Sequence, residues 1–355
     1  MSPLCGTMKY YIGNRDAVEK LFEELKASVM VVYGPKVKNG SIVYGELNSI
    51  NEIPLGVGGI SSLTHHSVKE VAHPPVQDYI VTEGNYTSYL ASVGVSSWAL
   101  FGVRPCDVSS IKILDALLSD DPIYRQRRER LLWIVAEECL EVGPYCFCGS
   151  LETGPSATEG FDISYAFIGR DCVLFRSGTE RGDELLSRIP VREIDGESSE
   201  LRFYEKKVEE GRKKAVSETL AVRNGFGDAL DRSMHDAQLW RKLSESCLGC
   251  SNCNMVCPTC SCTEFIDDLK MDGSAKRSRL WVGCLSPVYG QIAGMHFRKE
   301  QYMRYRHFVL HKFLFSSWRI KRNACVGCGR CIAFCPMGID LRKSLEEVLS
   351  SYGRK

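Results

Sequence analysis

Two cysteine runs decide the fold of this chain: Cys247-Leu-Gly-Cys250-Ser-Asn-Cys253-Asn-Met-Val-Cys257-Pro258 and Cys325-Val-Gly-Cys328-Gly-Arg-Cys331-Ile-Ala-Phe-Cys335-Pro336. Both follow the spacing Cys-x2-Cys-x2-Cys-x3-Cys-Pro, which binds [4Fe–4S] clusters in bacterial ferredoxins. Structural zinc sites use separate CxxC pairs instead of four cysteines that end in Cys-Pro. Two complete runs in one chain therefore predict two [4Fe–4S] clusters.

The proline after each fourth cysteine predicts how the ligands are shared. In two-cluster ferredoxins, the fourth cysteine of each run ligates the other cluster. We therefore assign Cys247, Cys250, Cys253 and Cys335 to one cluster, and Cys325, Cys328, Cys331 and Cys257 to the other. This exchange requires the two runs to lie side by side, so the chain between Cys257 and Cys325 must leave the clusters and return.

Three further cysteines lie between the two runs, namely Cys260, Cys262 and Cys284. Free cysteine is among the most buried residue types, so a set of buried thiols is the favoured interpretation. The alternative is that one or more of them is a substituted or additional cluster ligand.

A second group of cysteines lies in the first half of the chain: Cys106, Cys139, Cys146 and Cys148. Cys106 follows the strand-like run 99–103, and Cys139 follows the strand-like run 131–136. If these strands are neighbours in a sheet, their ends bring both thiols to one edge, where the 143–149 loop can fold over them. We favour a third [4Fe–4S] cluster here, and a tetrahedral zinc site or a set of buried thiols remain open alternatives.

The composition sets limits on the class of protein. The chain has 355 residues, is 44% hydrophobic and has a formal net charge of +1. The balanced charge argues against a nucleic-acid partner, and the longest apolar runs are far shorter than the roughly 20 residues that a membrane helix needs. The N-terminus lacks the pattern of a signal peptide, so we expect a cytoplasmic protein.

Cysteine usage agrees with this interpretation. Eleven of the 17 cysteines fall between Cys247 and Cys335, and Cys5 and Cys172 stand alone. In a chain of this length without a signal peptide, such a distribution favours metal binding over disulfides. We predict a mixed α+β or α/β domain over 1–232 and a mainly helical di-[4Fe–4S] ferredoxin-like domain over 233–355. Within them we expect Asn14 to cap a helix and residues 169–171 to form a hairpin turn. We also expect a helix over 228–244 before the first cysteine run and a connecting helix over 301–322 before the second.

The chain resembles a known family. The segment from Glu245 to Cys262, the Trp281-x-x-Cys284 motif, the helix over 304–312 and the run from Cys325 to Asp340 are similar to the β subunit of cytosolic [NiFe] hydrogenases, the sulfhydrogenases. They are equally similar to the iron–sulfur electron-transfer subunit of anaerobic sulfite reductase. The segments 102–107 and 146–150 occur in the same family order, so the resemblance covers almost the whole chain.

The resemblance implies a role in anaerobic electron transfer. It places the chain between a FAD/NAD(P)-binding subunit on one side and either a [NiFe] hydrogenase module or a sirohaem sulfite reductase on the other, with the hydrogenase favoured. A third possibility is an independent iron–sulfur oxidoreductase that uses Cys260, Cys262 or Cys284 at its own catalytic site. We assign no catalytic residue and expect neither nucleic acid nor membrane insertion.

Overall fold

The computed structural model describes residues 8–56, 63–84, 87–94, 96–217 and 226–353. A mixed eight-stranded sheet forms the centre of the first half, and a smaller antiparallel sheet joins the first half to the second. Helices surround the two cysteine runs. The strands, numbered in chain order, are β1 Tyr10–Gly13, β2 Val31–Lys38, β3 Ser41–Glu46, β4 Val76–Thr82, β5 Ser88–Leu90, β6 Trp98–Val103, β7 Leu131–Glu137, β8 Ile163–Phe167, β9 Val173–Ser177, β10 Arg192–Ile194, β11 Thr263–Leu269, β12 Ala275–Trp281, β13 Gln291–Ile292 and β14 Met295–His296.

The helices vary from single turns to four turns. They are α1 Arg15–Ser28, α2 Lys69–Ala72, α3 Pro105–Leu117, α4 Pro122–Glu129, α5 Cys148–Leu151, α6 Glu180–Leu186, α7 Ser199–Lys214, α8 Phe226–Ser233, α9 Ala237–Leu243, α10 Asn252–Met255, α11 Gln301–Leu310, α12 Ser316–Ile320, α13 Arg330–Ala333 and α14 Leu341–Tyr352. A π-helical turn, His311–Phe315, connects α11 to α12 without a break. A short 3₁₀ turn covers Ile50–Glu52.

The large sheet has the strand order β10-β1-β9-β8-β7-β6-β2-β3. Its central strands β2, β6, β7 and β8 are parallel, and the outer pairs are antiparallel. Every residue of β6 is buried, as expected for a parallel strand that is covered on both faces. The mixed α/β class predicted for the first half is confirmed.

Two local predictions are also confirmed in this half. Asn14 caps α1 by accepting a hydrogen bond from the Ala17 backbone N–H, and the helical face with Val18 and Leu21 is buried. The residues 169–171 connect β8 to β9, which pair as an antiparallel hairpin. Both features follow from local sequence, namely a side-chain N-cap and alternating apolar runs around a turn.

The chain between the two cysteine runs forms strands as well as helices. β11 and β12 pair with each other, and β12 pairs with β4 of the first half, to give the sheet order β11-β12-β4-β5. The prediction of a mainly helical second half therefore holds only around the cysteine runs. Helical periodicity is visible near the cysteines, whereas the partner of β12 lies about two hundred residues earlier and leaves no local signal.

Two predicted helices differ in detail from the structure. The segment 228–244 divides into α8 and α9, because Asp236 starts a new helix by accepting a hydrogen bond from the Leu239 backbone N–H at 3.0 Å. The segment 301–322 is helical as far as Ile320. Its face with Tyr305 and Phe308 is buried in the core of the second half, which supports its interpretation as a connecting helix.

The described residues contain no helix that is both long enough and apolar enough to span a membrane.

A buried ion pair links strand β12 of the small sheet to the start of α4 in the first half. Arg279 of β12 contacts Asp121, which precedes α4, and the two side chains are 3% and 13% exposed. Arg277 lies two residues away on the same strand and pairs with Asp267, but these side chains are 49% and 46% exposed. The strand thus carries a buried pair and an exposed pair.

We predict that Arg279→Ala lowers the free energy of unfolding by about 3–5 kcal/mol, because it leaves the Asp121 carboxylate buried without its partner. The matched control Arg277→Ala is expected to cost at most about 1 kcal/mol, because both of its charges remain in water. Anaerobic chemical denaturation followed by circular dichroism measures both. Equal losses in the two variants would contradict the prediction.

Candidate iron–sulfur sites

The backbone of the two cysteine runs is alike at corresponding positions. Gly249 and Ser251 flank Cys250 with φ of 67° and 64°, and Gly327 and Gly329 flank Cys328 with φ of 61° and 75°. Left-handed backbone on both sides of the middle cysteine turns the chain tightly. Each run then continues into a one-turn helix, α10 or α13, and these two helices pack against each other.

The first group of thiols lines one cavity between the runs, and its members are Cys247, Cys250, Cys253 and Cys335. Tyr305 and Phe308 form part of its apolar wall. Cys250 is exposed and the neighbouring Leu248 is 66% exposed. This cavity therefore reaches the protein surface at its Cys250 end.

The second group consists of Cys257 and the first three cysteines of the second run. Burial raises the pKa of the Cys331 thiol well above its ordinary value, and the nearby sulfurs of Cys325, Cys328 and Cys257 raise it further. Cys257 acts on the pKa of Cys325, Cys328 and Cys331 alike, so the fourth cysteine of the first run lies near the first three of the second. Four thiols in such surroundings would remain protonated unless a metal centre or a cation stabilised their anionic form.

A buried lysine supplies such a cation. Lys312 is only 4% exposed, and its Nζ lies 3.1 Å from the sulfur of Cys257. Burial alone would lower the pKa of Lys312, but the sulfurs of Cys257, Cys260 and Cys325 raise it well above its ordinary value. The ammonium therefore stays charged, and it favours negative charge on the second group.

The third group is the one predicted in the first half of the chain: Cys106, Cys139, Cys146 and Cys148. All four line one cavity. The four cysteines come together as predicted, because β6 and β7 are parallel neighbours and Val103 is paired with Ala136 near their carboxyl ends. Cys106 lies in the first turn of α3 and Cys139 two residues after β7, while the loop before α5 carries Cys146.

Burial makes this third cavity unfavourable for free thiolates. It raises the pKa of Cys139 to about 12, although the guanidinium of Arg104 acts in the opposite direction. Burial likewise raises the pKa of Cys106 and Cys148 well above the ordinary value. Arg104 and Arg330 also line the cavity. Four thiols around an enclosed space with two cations at its wall fit an anionic cluster.

The third cavity adjoins the second run directly. The Phe147 backbone N–H donates to the Gly327 carbonyl at 2.8 Å, and Thr153 Oγ1 donates to the Val326 carbonyl at 2.6 Å. A Cβ on Gly327 would come within 2.6 Å of the Cys148 backbone nitrogen. Cys328 of the second group is itself part of the cavity wall.

Cys260, Cys262 and Cys284 line neither the cavity of the first group nor that of the third, although Cys260 lies beside Cys257 of the second group. They line a fourth, smaller cavity together with His311 and Lys312. Cys172 belongs neither to the three groups nor to the fourth cavity and lies between β8 and β9, and Cys5 lies outside the described residues. Among the described residues, no three His, Cys, Asp or Glu side chains converge on a position for a single metal ion.

The sequence did not predict that Lys312, Arg104 and Arg330 lie at these sites, because Lys and Arg are expected at the surface. Lys312 follows Phe308 by four residues and Tyr305 by seven, so helical spacing predicts it on the same buried face of the 301–320 helical segment as these two aromatic residues. That periodicity is the signal that identifies it. Arg330 gives no comparable signal, because its partner Asp107 is 223 residues away in sequence.

The fold and the paired cysteine runs define an iron–sulfur protein of the dicluster class. Residues 246–339 match the family described as 4Fe-4S dicluster domain. The chain is also 35% identical over 344 residues to sulfhydrogenase 2 subunit beta of Pyrococcus furiosus, which covers 96% of this chain and 98% of the relative. The chain belongs to the sulfhydrogenase β-subunit family, so the resemblance found in the sequence is confirmed.

The arrangement of Cys257 and Cys335 generates a prediction about ligand exchange. Replacing Cys257 by Ser should damage the cluster held by Cys325, Cys328 and Cys331, whereas Cys335→Ser should damage the cluster of the first run. Electron paramagnetic resonance of the reduced protein, with the two clusters resolved, is the measurement.

The two variants serve as controls for each other, because each alters one cysteine that precedes a proline. Loss of only the Cys247 cluster in the Cys257→Ser protein would overturn the exchange of ligands.

Proposed function

We propose that this chain is the electron-transfer component of a multisubunit redox complex, and that it relays electrons from or to a FAD/NAD(P)-binding subunit, with a [NiFe] hydrogenase module at the other end. The proposal assigns one [4Fe–4S] cluster to the first group, one to the second group and one to the third. We call these three sites the relay. Each cluster, when bound, accepts and returns one electron.

The contact between neighbouring groups is the observation that carries the proposal. Cys331 of the second group also lines the cavity of the first group, and Cys328 also lines the cavity of the third. The second group is therefore the middle of a series, with its own cysteines in both neighbouring walls. Such a series supports electron transfer from the first group through the second to the third.

The buried cations favour the reduction of the neighbouring centres. Lys312 lies at the second group and Arg330 between the second and third groups. A fixed positive charge favours the reduced, more negative state of a neighbouring centre, and in a low-dielectric interior this effect is large. Asp107 balances Arg330 through a contact of 3.0 Å, which moderates its effect on the third group.

The surface end of the first group supports a docking role. Cys250 is exposed between two exposed apolar side chains, Leu248 at 66% and Met337 at 45%. Apolar surface beside a redox centre allows a partner to exclude water and bring its own centre close. This end of the relay is suited to electron exchange with a partner protein.

The test of the function uses the full chain with an affinity tag, purified anaerobically from its native host. We expect co-purified subunits that mass spectrometry identifies as a flavoprotein and a hydrogenase. The separated chain should accept electrons from dithionite and pass them to viologen dyes, but produce no hydrogen and reduce no sulfite.

Two results would change the proposal. Recovery of a sirohaem protein in place of the hydrogenase would assign the chain to a sulfite reductase complex. Sustained production of hydrogen or reduction of sulfite by the separated chain would show that it has a catalytic site of its own, and the proposal would be wrong.

The third cluster has a separate test by iron analysis. We predict about twelve iron atoms per chain, four for each of three cubanes, in protein purified anaerobically. Cys146→Ser combined with Cys148→Ser should lower the iron content by one cubane, because it removes two ligands of the third cluster.

The control for the iron analysis is Cys172→Ser, which alters a cysteine outside the three groups and should leave the iron content unchanged. An unchanged iron content in the double variant would contradict the third cluster. If the unaltered protein contained zinc and only enough iron for two cubanes, the third site would be a structural zinc site instead of a cluster.

A further inference from the structure

The ladder between β11 and β12 brings two cysteines of the fourth cavity, Cys262 and Cys284, close together. Thr263 is paired with Trp281 at the end of this ladder, and the Val282 backbone N–H still donates to the Cys262 carbonyl at 3.0 Å. The two segments therefore leave the sheet side by side. Cys262 lies on one segment and Cys284 on the other, at a position where the fold holds them together.

The two thiols are neighbours. Cys262 and Cys284 line the same small cavity with His311, and Cys284, then His311 and Tyr289, are the groups that lower the pKa of Cys262. The hydrogen bond from Cys284 is the main reason that the pKa of Cys262 falls to about 4, while the pKa of Cys284 rises. A thiolate at Cys262 beside a thiol at Cys284 is the pairing from which a disulfide forms on oxidation.

Neighbouring groups fix the position of the pair. Asn254 is 1% exposed, and its Nδ2 lies 3.4 Å from the sulfurs of both Cys284 and Cys260. Gly283 packs so closely that a Cβ there would come within 2.1 Å of Ser251 Cβ, so the segment before Cys284 is held against the first cysteine run. The pair has little freedom to separate.

The helix above the pair is irregular at this position. The π-helical turn His311–Phe315 interrupts the connecting helix, and it starts at the residue that bonds to Cys262. Single π turns are rare in proteins, and many of those that do occur lie at functional sites. The turn also places Lys312 next to His311, where it lines the fourth cavity and contacts Cys257 of the second group.

We propose that Cys262 and Cys284 are a redox-active dithiol that closes reversibly to a disulfide and exchanges two electrons with the relay. On oxidation the S–S bond forms and the proton shared by the two sulfurs passes to the imidazole of His311. The two electrons go singly to two oxidised [4Fe–4S] clusters. Reduction reverses each step, so the dithiol stores a pair of electrons beside centres that carry one at a time.

The position of the pair connects it to the relay. Cys260 shares the fourth cavity with the pair and hydrogen-bonds to Cys257, which belongs to the second group. The closeness of Cys262 and Cys284 suits a disulfide. The proposal depends on the proposed relay only for the source of its electrons.

The test counts electrons and maps the bond in the full-length protein. Oxidised protein is titrated anaerobically with dithionite, and we expect Cys284→Ser to take up two electrons fewer per chain than the unaltered protein. In parallel, samples are denatured in acid and alkylated with N-ethylmaleimide. Peptide mass spectrometry should find Cys262 linked to Cys284 after oxidation, and both alkylated after reduction.

The control variant Cys172→Ser should take up as many electrons as the unaltered protein and form the same link. Iron analysis of Cys284→Ser separates the dithiol from a cluster ligand, since we expect no loss of iron. An equal electron count in Cys284→Ser, the absence of the link in oxidised unaltered protein, or a loss of about four iron atoms per chain would each overturn the proposal.

Failure of the relay is distinguishable from failure of the dithiol. The relay is scored by electron transfer to viologen and by partner recovery, whereas the link is scored chemically in the unaltered chain. A link that forms with an external oxidant but does not open when the clusters are reduced would also overturn the proposal, because the pair would then be isolated from the relay.

Discussion

The packing of α10 against α13 is the constraint on which the rest of the second half depends. It places the two cysteine runs side by side, so Cys335 lies with the thiols of the first run and Cys257 with those of the second. The intervening chain must then leave this point and return to it. It does so first as the ladder of β11 and β12 and then as the long helix that begins with α11. The ladder extends the small sheet that β4 and β5 of the first half begin, and the helix covers the thiols with aromatic side chains.

Buried charge is the second organising force. Thiol groups that are enclosed by apolar side chains resist ionisation, yet cluster ligands are thiolates. The structure meets this requirement with cations that are buried beside them: Lys312 at Cys257, and Arg104 and Arg330 at the third cavity. Buried cations are costly by themselves. Asp107 and Glu137 pair with the two arginines, whereas Lys312 contacts sulfur, so its charge acts most directly on the second group.

The sequence predicted those features that depend on short spacing. The cysteine runs, the cap at Asn14 and the turn between β8 and β9 are all determined by residues within a few positions of one another. The third group was also predicted, because two buried strands followed by cysteine imply a shared sheet edge, and the carboxyl ends of parallel strands are common positions for binding sites. The pairing of β12 with β4 and the partnership of Arg330 with Asp107 could not be predicted, since they join residues far apart in sequence. The contact of Cys262 with Cys284 depends on the register of a ladder that the sequence does not reveal.

The first half of the chain supplies the residues of the proposed third site and also packs against the second cysteine run. Cβ atoms on Gly327 and Gly329 would come within 2.6 Å of Phe147 or Cys148 backbone atoms and within 2.5 Å of the Tyr145 carbonyl oxygen. Glycine at these two positions therefore leaves room for the loop that carries Cys146, which packs against the second run. The same interlocking brings Cys328 into the wall of the third cavity. Each side therefore supplies part of the other's surface, and the second group, which the proposed relay places in the middle, has cysteines in the walls of both neighbouring cavities.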